Sequence, residues 1–365
     1  MSGHRHIARP ALLPLTLVYG LIVLIRNILF DLRILQATRF NLPVISIGNI
    51  TAGGTGKTPH VEYLIQLLKE EFKIAVLSRG YKRKTKNFIL ASSKSRVTDI
   101  GDEPRQMKLK FPGVHVAVEC NRVRGVSTLI ESIHKLDLVI LDDAFQHRYI
   151  HPGFSILLVD YNHPIFQDML LPAGNLREPC RNAKRADLII ITKCPDHLPV
   201  QKRSDFIANL HPGAKQEVFF TSYTYGSPVP VFPDKHNRKD PISYRYLRKT
   251  GTGVLLVTGI ANPAPLRQFL EQNLRIDDEL TFNDHHNYDQ KDIQCIQNRF
   301  KTIEQVEKCI VVTEKDAVRL RELHISNKNF RKSFYYIPVE VKFQAKGEKP
   351  FIKRIFKYLK KSGSK

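Results

Sequence analysis

Residues 44–59 read VISIGNITAGGTGKTP. The first five form an apolar, strand-like run, and after Lys57 the residues Val61, Leu64, Ile65 and Leu68 fall on one helical stripe. Pro59 sits in the first turn of that helix, where a missing N–H costs nothing. Between strand and helix, Gly53, Gly54 and Gly56 let backbone N–H groups approach a phosphate at a helix N-terminus. Lys57 would then reach β- and γ-phosphate oxygens, and the Thr58 hydroxyl would hold Mg2+. The usual spacing G-x-x-x-x-G-K-[ST] wants its first glycine where this chain has Thr51. The bland alternative, a glycine turn with a chance Gly-Lys-Thr, leaves the strand before it and the helix after it unexplained. In a neighbouring class of such loops, a lysine precedes G-G-x-G-K-T and reaches across a dimer interface. Ala52 stands at that position and argues against that class.

Outward from this turn, short apolar strands alternate with amphipathic helices. The runs 74–78, 136–143, 154–160 and 187–192 are apolar throughout rather than alternating, which predicts a parallel sheet covered on both faces. LVILDD ends in Asp142 and Asp143, as in a Walker B strand whose carboxylate holds Mg2+ opposite Thr58. The bland reading is a strand end capped by turn-forming acids. A second α/β unit follows a boundary near 215–225: a connecting strand at 218–226, GVLLVTGIANPAPLRQFL, CIVVTEKDAVRL and a late strand at 334–343. Residues 227–251 are polar and proline-bearing and read as a loop.

The chain has 365 residues, enough for roughly two domains. Lys and Arg number 57 against 35 Asp and Glu, a net charge of +22 that favours a polyanionic partner: nucleic acid, an anionic membrane or a phosphorylated substrate. The five scattered cysteines, with no C-x-x-C pair, read as ordinary buried residues in a reducing compartment. Residues 11–25 carry no charge. A secretory signal would want a small-x-small site that RNILFDLR does not supply, and a soluble-core helix suits this run poorly. The preferred reading is a membrane anchor, with Arg5, Arg9, Arg26 and Arg33 near headgroups. KPFIKRIFKYLKK places Phe351, Ile352, Ile355, Phe356 and Leu359 on one helical face, which suits a membrane surface and a protein surface equally. RGYKRKTK (79–86) is a further basic patch or a solvated loop.

Three shorter motifs have bland readings of their own. Asp102 and Glu103 precede Pro104 and read as a helix start with Asp102 as N-cap. Arg177 and Glu178 in GNLREP read as a surface ion pair, although Arg177 suits bidentate contact with phosphate. Asp284, His285 and His286 suggest a metal-dependent phosphoesterase only weakly, since no D-x-D partner exists; a structural loop before a helix near Asp289 competes with it.

Together GNITAGGTGKTP, SRGY, GDEP, LDDAFQHR, LLPAGNLREP, DHHNY and TEKDAVRL, in this order over nearly the whole chain, resemble the tetraacyldisaccharide 4′-kinase family. The family's own loop accommodates Thr51. The resemblance implies an α/β fold: a P-loop parallel-sheet domain joined by a two-stranded linker to a smaller α/β domain, with an N-terminal membrane-associated helix. The implied parts are an anchoring helix at 1–40, a P-loop domain at 41–217, a second domain with linker strands at 218–343 and a basic tail at 344–365. It also implies transfer of the ATP γ-phosphate to the 4′-hydroxyl of a tetraacylated glucosamine disaccharide 1-phosphate at the cytoplasmic face of the bacterial inner membrane. Thr51, Ala52, Gly53, Gly54, Thr55, Gly56, Lys57 and Thr58 would bind ATP, and Thr58, Asp142 and Asp143 would hold Mg2+. Asp102 would be the base, with His285 as its partner once the cleft closes. Tyr81, Glu103, Arg122, Arg177 and Glu178 would contact phosphate, metal or sugar. Ala144 and Asn175 replace a glycine and a proline common in the family without removing a reactive group. Implied partners are the anionic lipid and the membrane surface, not nucleic acid. The alternative is a membrane-associated nucleotide-switch or partitioning ATPase.

Overall fold

Each apolar run is a strand because both of its faces are covered. In the computed structural model, which describes residues 10–233 and 241–363, the strands in chain order are β1 (Val44–Gly48), β2 (Ile74–Ser78), β3 (Ile89–Leu90), β4 (His115–Val118), β5 (Leu138–Asp142), β6 (Phe154–Asp160), β7 (Leu188–Thr192), β8 (Glu217–Tyr225), β9 (Val229–Pro230), β10 (Gly253–Thr258), β11 (Ile276–Thr281), β12 (Lys308–Thr313), β13 (Phe334–Ile337) and β14 (Val339–Phe343). The helices that matter here are α1 (Leu13–Asp31), α2 (Lys57–Leu68), α3 (Asp102–Lys110), α4 (Arg122–Ser132), α5 (Tyr244–Lys249), α6 (Gln290–Thr302), α7 (Glu314–Leu320) and α8 (Glu348–Gly363).

A nine-stranded sheet runs β14-β8-β7-β6-β1-β5-β2-β4-β3, parallel except at its two edges, and a five-stranded sheet runs β11-β10-β12-β13-β9. β1 lies between β5 and β6, with Ile47 beside Asp142 and Gly48 beside Leu157. The connections diverge there, so a crevice opens at the carboxyl ends of these strands, where ligands of open α/β sheets bind. The chain leaves the large sheet along β8 and returns along β14. These two strands pair antiparallel from Tyr225 opposite Val339 to Thr221 opposite Phe343.

Three expectations need correction, and a fourth reading left open is decided. The late strand at 334–343 is two strands in different sheets, because Pro338 has no N–H for a ladder and breaks the run. The expected loop at 227–251 contains β9, paired to β13, and α5, which Ser243 caps by accepting from Tyr246 N–H. Cys194 and Cys309 are buried, but Cys120 and Cys295 are exposed. The C-terminal helix α8 lays its apolar stripe on the protein: Phe351, Ile355 and Leu359 are buried in one core with Val61, Leu64 and Leu68 of α2. Burying three such side chains stabilises by about 1.5–3 kcal/mol each.

Helix α1 has 19 residues, and an 18-residue stretch of it has a mean hydropathy of 2.0, long and apolar enough to cross a membrane by length and composition. Its two faces differ. Thr16, Val23, Asn27 and Phe30 are buried on the body, whereas Leu15, Leu17, Leu21, Ile22 and Ile25 are each about half exposed or more. Arg5 and Arg9 lie outside the described residues.

Candidate active site

The glycine turn opens at the end of β1. Gly56 has φ 83° and is the N-cap of α2. A Cβ there would sit 1.7 Å from the Tyr223 hydroxyl, so a side chain is excluded by conformation and by space. The turn's carbonyl oxygens are taken by neighbours. His60 Nδ1–H donates to Gly56 O at 2.8 Å, Thr192 Oγ1 to Thr55 O at 2.9 Å, and Lys193 Nζ to Gly54 O. At the start of α2 the Lys57 and Thr58 N–H groups lie ahead of any intrahelical acceptor, and Pro59 has no N–H to satisfy. Asn49 donates to Thr51 O at 2.8 Å and accepts from Lys57 Nζ at 3.3 Å. Ala52 N–H donates to Asn175 O at 2.6 Å and Arg177 N–H to Ile50 O at 2.7 Å, so GNLREP forms the wall of the turn.

The acidic pair lies beside it. Asp142 is 5% exposed and accepts from Ser78 Oγ at 2.9 Å. Burial and the neighbouring Asp143 push its carboxyl up to about 6, which marks a place that needs a cation. Asp143, at φ 50°, pairs with Lys57 Nζ at 3.7 Å and Arg177 Nη1 at 3.4 Å. Mg2+ binds through one or two carboxylates plus phosphate and water oxygens, and the donor set of Thr58, Asp142 and Asp143 fits that demand.

The second cluster joins elements of both sheets. Asp102 is the first residue of α3 rather than its cap, since Gly101 is the N-cap. His285 Nδ1–H donates to Asp102 Oδ2 at 2.9 Å. Arg319, on α7, donates from Nε to Asp102 Oδ1 at 2.8 Å and from Nη2 to Oδ2. Burial alone would raise this carboxyl, but the hydrogen bonds from Arg319 and His285 and the guanidinium charge hold it well below the usual carboxylate range. The other ring nitrogen of His285, Nε2, accepts from Lys315 Nζ at 3.0 Å. His285 itself has φ 62° and its N–H donates to Gly259 O at 3.2 Å, while His286 pairs with Asp292 at 2.8 Å beside the Asp289 cap of α6.

The remaining expected residues divide. Tyr81 is exposed and meets the His285 ring edge-on at 5.5 Å, and Glu103 lies 3.8 Å from Lys315 and adds to the charge that raises Asp142. Arg177 faces the acidic pair. Arg122 and Glu178 are both buried. Arg122 donates to the carbonyls of Glu119 at 2.7 Å and Asp142 at 3.2 Å. Glu178 is buried against Arg185 at 2.7 Å and Asn182 at 2.7 Å. Sequence reasoning assigned no role to Lys315 and Arg319. Their i,i+4 spacing in TEKDAVRL, which puts two cations on one helical face, was the available signal.

A central strand, a glycine turn and a lysine-headed helix beside an acidic strand end define a nucleotide-binding protein of the P-loop class. The family model described as tetraacyldisaccharide-1-P 4′-kinase matches residues 8–359. A tetraacyldisaccharide 4′-kinase of Parabacteroides distasonis is 46% identical, covering 95% of this chain and 94% of that protein. One of Flavobacterium johnsoniae is 39% identical over 98% and 99%. The crystal structure of "apo" form LpxK from Aquifex aeolicus in complex with ATP is similar with a TM-score of 0.74 at 28% identity, covering 96% of this chain and 99% of that one. The chain belongs to the tetraacyldisaccharide 4′-kinase family.

Proposed function

We propose that this chain transfers the γ-phosphoryl group of ATP to the 4′-hydroxyl of a tetraacylated glucosamine disaccharide 1-phosphate, giving lipid IVA. Family membership over residues 8–359 supports the reaction. The observation that supports the site assignment is the 2.9 Å contact between Asp102 and His285, made between the two α/β units.

The glycine turn and Lys57 grip the triphosphate, and Arg177 adds a cation on the acidic side. Mg2+, held by Thr58 and the Asp142–Asp143 pair, would neutralise charge on the β- and γ-oxygens. The sugar hydroxyl is a poor nucleophile until its proton has an acceptor. Asp102, kept ionised by Arg319, is a weak base but a good anchor for an imidazolium. The ion pair with Arg319 reverses the roles expected from the resemblance: His285 Nε2, rather than Asp102, takes the proton once the substrate displaces Lys315 from it, and Asp102 stabilises the charge that forms. The sugar oxygen bonds to the γ-phosphorus, the bond to the β–γ bridging oxygen breaks, and ADP leaves. Such general-base help is worth about 10²–10⁴ in rate.

The two-stranded β8–β14 linker divides the chain into a P-loop unit and a second unit near residue 217, and a hinge there would gate the pair. Helix α1, packed along one face, lies in the cytoplasmic face of the inner membrane rather than across it, and its exposed leucines and isoleucines enter the lipid. The net charge of +22 suits two anionic substrates at an anionic surface. The test is purified protein with ATP, Mg2+ and the disaccharide lipid, read by mass spectrometry. One added phosphate on the lipid is expected; ATP hydrolysis indifferent to lipid overturns the reading.

A further inference from the structure

The buried face of α1 does more than hold the helix to the body. The Tyr19 hydroxyl donates to the Arg177 carbonyl at 2.9 Å, and Arg177 N–H donates to Ile50 O at 2.7 Å. Thr16 Oγ1 accepts from Ala173 N–H at 3.0 Å in the same loop, whose Asn175 carbonyl holds Ala52 N–H at 2.6 Å. A second relay starts at Arg26, which donates to the Gln146 carbonyl at 2.9 Å. The Gln146 amide donates to Asn49 O at 2.6 Å, and Asn49 Oδ1 accepts from Lys57. Both relays end on the residues that lead into the glycine turn. Neither involves the lipid-type face of α1, whose leucines and isoleucines point away from the body.

We propose that Tyr19 and Thr16 are positioning residues for the nucleotide site: the apolar helix braces the 169–177 loop, and that loop fixes the backbone at 50–52 in its phosphate-binding form. The helix is therefore part of the ATP site as well as a contact with lipid. The inference rests on the assignment of the glycine turn to ATP. Precise placement of these peptide groups matters because several N–H donors must converge on one anion, so a loosened wall weakens all of them together.

The experiment titrates the full-length purified protein in detergent with a fluorescent ATP analogue and Mg2+, without lipid substrate. Tyr19→Phe keeps the ring and deletes the donor. The expected result is a rise of about fivefold in the analogue Kd, which is ~1 kcal/mol at 25 °C, with the same direction in KM for ATP and little change in kcat. Thr16→Val is expected to act likewise and Thr16→Ser to restore wild-type affinity, which separates the lost hydrogen bond from a general packing defect if Tyr19→Phe proves unstable. Leu21→Ser on the exposed face is expected to leave the Kd unchanged. A Kd within twofold of wild type in both Tyr19→Phe and Thr16→Val overturns the brace. Absence of saturable analogue binding by the wild type would instead sink the ATP assignment itself.

Discussion

Asp102 accepts from two nitrogens of Arg319 and one of His285, and this sets what it can contribute. Replacing Arg319 by Gln removes the cation that counters burial, so the Asp102 carboxyl would rise. The carboxylate would then be lost as pH falls through the rising value, and an acid limb would move to higher pH in the kcat profile. We expect Arg319→Gln to lower kcat at least tenfold, with ATP binding near wild type; an unchanged profile would remove Arg319 from the site. Asp102→Ala should cut turnover by about 10²–10⁴, again with ATP binding retained, as a titration of the nucleotide would check. At this scale the sequence was unevenly legible. The turn at 51–58 and the acids at 142–143 are contiguous and carry their chemistry in order. The Asp102–His285–Arg319 cluster brings together positions more than 180 residues apart, and an arginine on a short helix reads as a solvated charge until its partner is seen.

Among the elements, α8 shows where a periodic pattern stops being informative. An apolar stripe backed by lysines has the same spacing whether lipid or protein covers it. What decides is the complementary surface: Phe351 meets Phe219 and Phe343 at 5.6 and 4.8 Å, and Tyr358 stacks on Phe154 at 5.2 Å. Phe219 and Phe154, the partners on the large sheet, are far from α8 in sequence. Phe351→Ala should therefore destabilise by about 3–5 kcal/mol in denaturant unfolding while leaving vesicle binding intact. Loss of vesicle binding at full stability would return α8 to the membrane. The parallel strands β1, β2, β5, β6 and β7, by contrast, were readable as uninterrupted apolar runs bounded by turn signals; β4, with only four residues, and β11, which carries three acids, were not. The division of 334–343 between two sheets was not, since aromatic and β-branched residues continue across Pro338.

For the molecule as a whole, the two units touch at a second place. Lys110 of α3 pairs with Glu62 of α2 at 2.6 Å and with Glu314 of α7 at 2.9 Å, and Gln106 donates to Glu62 at 2.8 Å. Burial and the charge of Glu314 push Glu62 up to about 7. Lys110→Ala would leave two carboxylates facing each other with little water, at a cost of ~2 kcal/mol, below the fully buried case because Lys110 is partly exposed; thermal unfolding at pH 8 against pH 6 should show the defect grow as Glu62 ionises. The path of the chain has a consequence of its own. Strands β9–β13 form a contiguous insertion, while α8, which seals the core around α2, is translated after all of it. On the ribosome the inserted unit can therefore mature first, and the nucleotide-binding half must wait, with its α2 face uncovered, until the final helix emerges.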